Sequence, residues 1–142
     1  MSASLNGPTG LDQSLDELEG QRWNEPPSDA TGLVKAIHAL RRRPIGTLSA
    51  TELARLIGQK VGLRWLLPLA VQILSDTAPN QARGGFYDDD LLTAVLTCGS
   101  ATWATHPELA TEVNKTIESL IDLSPYTQEA VAQFLKDLRQ NR

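Results

Sequence analysis

Two runs of like charge dominate the ionisable side chains of this 142-residue chain, Asp88-Asp89-Asp90 and Arg41-Arg42-Arg43. Adjacent carboxylates are raw material for a divalent-cation site. A calcium loop, however, spaces its acids as D-x-D-x-D-G and closes on a distal glutamate, and neither feature follows Asp88. On a helix successive side chains diverge by about 100°, so three in a row do not converge on one ion. His38 lies in a segment with an apolar stripe and His106 directly precedes Pro107; these are places for core-edge or capping histidines rather than for a general base. The single cysteine, Cys98, supports neither a disulfide framework nor a zinc site built on several thiolates, and its apolar surroundings in the sequence suit a buried structural thiol. Gly84-Gly85 is not followed by Gly-Lys-Ser/Thr, so it makes no phosphate loop. The expectation is a chain without catalytic residues, metal or cofactor.

The elements that would position these residues read as helices throughout. Residues 1–10 (MSASLNGPTG) are small and polar and are expected to form a flexible tail, ahead of a single all-α domain over 11–142. Leu11, Leu15 and Leu18 recur at helical spacing with acids on the other face, and Gly20 stops that run. Two prolines hold residues 21–29 in a loop that Trp23 would anchor. Asp29 is placed to cap a second helix with Leu33, Val34, Ile37 and Leu40 inward, ending at Pro44. Ser49 and Glu52 have capping-box spacing ahead of Leu53, Leu56 and Ile57. Residues 63–77 are the most apolar segment and the expected central helix, kinked or restarted near Pro68. Residues 78–86 read as a surface loop, and Asp88 as the cap of a helix through Leu91, Leu92, Val95 and Leu96. Residues 99–106 read as a connection containing Trp103. Pro107 then opens a helix carrying Leu109, Val113, Ile117, Leu120 and Ile121, and Ser124-Pro125 opens the last one, with Val131, Phe134, Leu135 and Leu138. With no sustained period-two alternation, the fold class is all-α, a single-domain bundle of about seven short helices.

Apolar residues make up 41 % of the chain and charged residues 21 %, with a net charge of −4, values of a globular protein rather than a disordered one. The N-terminus lacks the basic patch and apolar run of a signal peptide, and the longest apolar run is broken by Pro68. A cytoplasmic protein without a membrane span is expected. The charge is uneven: six acids against Arg22 in residues 1–30, and seven bases against Glu52 in residues 31–65. Two readings of this asymmetry stand open. Either the N-terminal acids fold back on the basic middle and screen it, or an acidic face survives folding and meets a basic partner. Residues 49–67 also have the small-residue and glycine spacing of a helix-turn-helix, giving a DNA-binding regulator as the alternative function. Arg64 at an anchor position, Pro68 in the recognition helix and the acidic chain as a whole count against it, so no direct contact with nucleic acid is expected.

The order of several blocks resembles the immunity proteins of bacterial contact-dependent growth inhibition systems. These are residues 14–20 (SLDELEG), Trp23 to Pro27 (WNEPP), residues 33–44 (LVKAIHALRRRP), Leu53 to Leu69 (LARLIGQKVGLRWLLPL) and Phe86 to Leu96 (FYDDDLLTAVL). The resemblance implies a small helical protein with no activity of its own. Its partner would be the C-terminal toxin domain of a cognate, very large secreted effector. In well-known relatives that toxin looks like a ribonuclease of the pancreatic type. A nuclease presents cations to RNA phosphates, so an acidic inhibitor fits the same groove. On this reading the toxin-binding residues are Asp88, Asp89 and Asp90, with Tyr87 as an aromatic anchor, and a second set formed by Asp12, Asp16 and Glu19.

Overall fold

The computed structural model describes residues 10–21, 25–82 and 89–140, with the backbone alone at 82 and 89. Among the described residues eight α-helices follow in order: α1 (Leu15–Glu19), α2 (Gly32–Leu40), α3 (Ala50–Gly58), α4 (Leu63–Ala82), α5 (Asp89–Leu96), α6 (Ser100–Thr105), α7 (Pro107–Glu118) and α8 (Pro125–Gln140). One 3-10 turn, Ile45–Thr47, precedes α3. Among the described residues the sole extended pairing is a bridge between Ser14 and Pro44. The architecture is all-α, with one helix more than the sequence suggests.

The additional helix is α6, where a connection was expected. Its threonines carry β-propensity, but the Thr102 and Thr105 hydroxyls donate to the Cys98 and Ala101 carbonyls, and the turn closes on the buried Trp103 ring. Helix starts follow local side-chain chemistry. Ser49 and Glu52 form a complete capping box on α3, and Ser14 and Glu17 form a second on α1, so α1 begins at Leu15 rather than at Leu11. Thr31, not Asp29, caps α2: its Oγ1 accepts the Val34 amide at 3.2 Å. On α2 only Ile37 and Leu40 are buried, and Leu33 and Val34 stand exposed.

The prolines do not break α4, which runs unbroken through Pro68 and Pro79. The expected loop over 78–86 is therefore helical as far as Ala82. Each proline forfeits one intrahelical hydrogen bond, and tertiary contacts hold the distal turn in place. Ala78 is buried, and the Gln81 side-chain amide both donates to the Ile121 carbonyl and accepts the Ile121 amide. Residues 83–86 of that loop, Trp23 and all of the expected tail save Gly10 lie outside the described residues.

The centre of the bundle is the short α5, which α3, α4 and α8 enclose. Its Leu91, Leu92, Val95 and Leu96 have no exposure at all, whereas Leu63, Trp65, Leu69 and Ile73 of α4 are only half-buried. The apolar richness of residues 63–77 thus serves three neighbours, α3, α5 and α7. Phe134 of α8 meets Trp103 edge-to-face, centroids 5.2 Å apart at 87°. Gly62 turns the chain into α4 with φ +64°, and a Cβ there would lie 2.7 Å from Leu15 Cδ2, so this glycine seats α1 on the bundle.

Candidate functional site

The helix α1 is five residues long, far too short to persist alone, and among the described residues it shares no extensive face with another helix. It is held by its surroundings. Asp16 N donates to the Arg41 carbonyl, Ile45 N to the Gln13 carbonyl and Gly46 N to the Leu11 carbonyl. Leu15 is fully buried beneath it.

The strongest polar feature of the molecule lies in the same place. Arg41, only 1 % exposed, places Nε 3.0 Å from Asp16 Oδ1 and Nη2 2.6 Å from Glu19 Oε1, and Nη2 also donates to the Gln21 carbonyl at 3.4 Å. A guanidinium can do this because its planar fork offers several fixed donors, and a buried cation is tolerated only when it is paired and hydrogen-bonded. The next two arginines are paired as well, Arg42 with Glu25 and Arg43 with Glu52. The Ser49 amide donating to Glu52 holds that carboxyl below its ordinary value, and Arg43 adds to the effect.

These contacts decide between the two charge readings for part of the chain. Asp16, Glu19 and Glu25 fold back onto Arg41 and Arg42, so this part of the basic middle is screened by the N-terminal acids. The sequence foresees the fold-back but not the burial of Arg41. The Asp16 and Glu19 spacing of three residues, which puts both carboxylates on one helical face, is the signal that could have found it. Asp12 is exposed, Glu19 keeps part of its carboxylate open, and Glu17 stands exposed between them while accepting the Ser14 amide. A shallow open hollow at this surface is lined by Ser14, Asp16, Glu17 and Arg42.

The second acidic segment begins α5. Asp90 is exposed at the first turn, where carboxylates suit the unpaired amides of a helix start. The backbone of Asp89 opens the helix, and Tyr87 and Asp88 lie outside the described residues. Among the described residues no hydrogen bond or ion pair joins Asp90 to the acids of α1.

The remaining candidates for chemistry occupy structural positions. Cys98 is buried, its Sγ lies 3.5 Å from the Ala94 carbonyl, and burial pushes its thiol up to about 11 against a smaller opposing pull from Lys60. His106 joins α6 to α7 without a side-chain cap bond, and His38 lies half-buried on α2. Within residues 49–67, Arg64 lies along the Trp65 ring at 4.7 Å, and farther along α4 the outward polar residues are Gln72, Asp76 and Asn80. Among the described residues no group of three His, Cys, Asp or Glu is arranged to hold a metal ion, and no helix is long and apolar enough to cross a membrane.

The polar features described are thus the buried Arg41 cluster, two solvent-exposed ion pairs and the exposed carboxylates of Asp12, Glu17 and Asp90. Residues 17–113 match the family of CDI immunity proteins, and with that stretch spanning most of the chain, the protein belongs to the CDI immunity family. No curated protein and no solved structure matches the chain. The family role is neutralisation of a contact-dependent growth inhibition toxin, so the partner class is a cognate CDI toxin. The matched stretch contains α2 to α6 entire, ends within α7, and stops before α8.

Proposed function

We propose that this protein acts in the cytoplasm, without chemistry of its own, by covering the cationic groove of a ribonuclease toxin domain at the C-terminus of a contact-dependent growth inhibition effector. The observation that carries the reading is the internal screening of the arginine run. Once Asp16, Glu19 and Glu25 have taken up Arg41 and Arg42, the charge left for a partner at the two acidic segments is negative. A groove built to hold RNA phosphates is attracted to such a surface, and the attraction speeds capture as well as fixing orientation.

Asp88, Asp89 and Asp90, with Tyr87 beside them, form the principal contact in this account. A carboxylate at a helix start has its backbone fixed by the helix, so little side-chain freedom is lost on binding. Asp12 and the open edge of Glu19 form the secondary contact, and Asp16 contributes from beneath through Arg41. The test is the affinity of the cognate CDI toxin domain for Asp89→Lys and Asp90→Lys. Removing one carboxylate of a desolvated charge pair costs about 2–5 kcal/mol, and reversing its sign costs no less. Loss of affinity of thirtyfold or more is expected, and unchanged binding of both variants refutes the α5 contact.

A further inference from the structure

We infer that Arg41 is a positioning residue for toxin binding: it locks α1 in the one orientation in which Asp12 and the open edge of Glu19 face the partner. The inference rests on the reading that the α1 surface meets the toxin. Three observations carry it. First, α1 lacks an extensive helix-to-helix contact, so its docking depends on Leu15, on the main-chain bonds from residues 11–16 to 41–46, and on Arg41. Second, Arg41 contributes main-chain and side-chain contacts to that attachment: its carbonyl accepts the Asp16 amide, its guanidinium holds Asp16 and Glu19 on the helix, and it reaches Gln21 beyond the helix end. Third, the same guanidinium neutralises two carboxylates three residues apart that would otherwise repel on one face.

Arg41 therefore belongs to the attachment of α1 rather than to the packing of α3, α4, α5 and α8. Its loss is expected to free α1 while the bundle stays folded, in the manner of a local unfolding unit. A binding segment that is docked only part of the time lowers apparent affinity in proportion to the docked fraction.

The experiment is a double-mutant cycle on the full chain with Arg41→Met and Asp12→Lys, measured by titration with a catalytically inactivated cognate CDI toxin domain. Amide hydrogen exchange on the free protein accompanies it. Arg41→Met is expected to weaken binding about tenfold or more, and Asp12→Lys should cost little further in its presence, because a carboxylate on an undocked segment no longer faces the partner. The Asp16, Ile45 and Gly46 amides should lose protection while those of α5 keep theirs. Arg41→Lys supplies charge but not the fork, so its affinity should fall between the two, and it carries the test if Arg41→Met does not fold. Full affinity in Arg41→Met, additive losses, or exchange that rises equally throughout the bundle overturns the positioning role. Unchanged affinity in Asp12→Lys alone removes α1 from the interface and overturns the underlying reading instead.

Discussion

Replacing Phe134 by alanine tests the packing of α8 on the core, where its ring meets Trp103 of α6. Phe134 has no exposed surface, and its ring meets Trp103 edge-to-face at 5.2 Å. Truncation of a fully buried phenylalanine costs about 3–5 kcal/mol through lost transfer energy and the cavity left behind. The edge-to-face pair places this site toward the upper end, near about 4 kcal/mol. For a chain of this length each kcal/mol lowers the melting point by roughly 3–5 °C, so the expected drop is about 12–20 °C. Far-UV circular dichroism reads the midpoint. Tryptophan emission reads the cause, since Trp103 is 1 % exposed with no hydrogen-bond partner for Nε1 among the described residues, and water admitted beside it shifts emission to the red. A midpoint within a few degrees of the parent, with unshifted emission, would refute this packing. The same reasoning predicts that a chain ended at residue 122, though longer than the family-matched stretch, does not fold, because α8 covers α5 and α6.

Gly62→Ala should destabilise by about 2 kcal/mol or more, because a Cβ meets Leu15 and φ is left-handed, and its melting curve checks this. Lys60 adopts φ +58° just past α3, so Lys60→Gly should raise the melting point by the equivalent of about 0.5–1 kcal/mol; a lower midpoint would show that the lysine side chain contributes more than its backbone strain removes. Cys98 should make the fold lose stability in alkali. The folded thiol holds its proton up to about 11 and the unfolded one releases it near 9.0, so stability falls as pH rises between these values, by about 2 kcal/mol at pH 11. Cys98→Ala should lack that component, and urea unfolding of both chains at pH 8 and pH 10.5 measures the difference.

Much of the fold was legible because its signals are local. The capping box at Ser49, the stripe of Leu53, Leu56 and Ile57, and the proline opening at Pro107 each specify an element through neighbours within one turn. What escaped the sequence depends on distant partners. Pro79 reads as a loop signal, and only Gln81 gripping the backbone of Ile121 forty residues away shows why the helix continues. Asp29 and Thr31 are both competent caps, and the backbone path selects the second. At the candidate site the exposure of Asp12 and Asp90 agrees with their acidic patterns. The role of Asp16 was hidden because Arg41 looked like one of three equivalent arginines at a helix end, and burial singled it out only in three dimensions.

The proposed mechanism is tested by titrating RNA cleavage by the cognate CDI toxin domain, for which ribonuclease activity is proposed, with this protein at low and high ionic strength. Stoichiometric loss of RNA cleavage is expected, with an association rate that falls steeply as salt screens the carboxylates. Undiminished cleavage at excess protein, or inhibition whose rate ignores salt, contradicts an acidic surface closing a cationic groove.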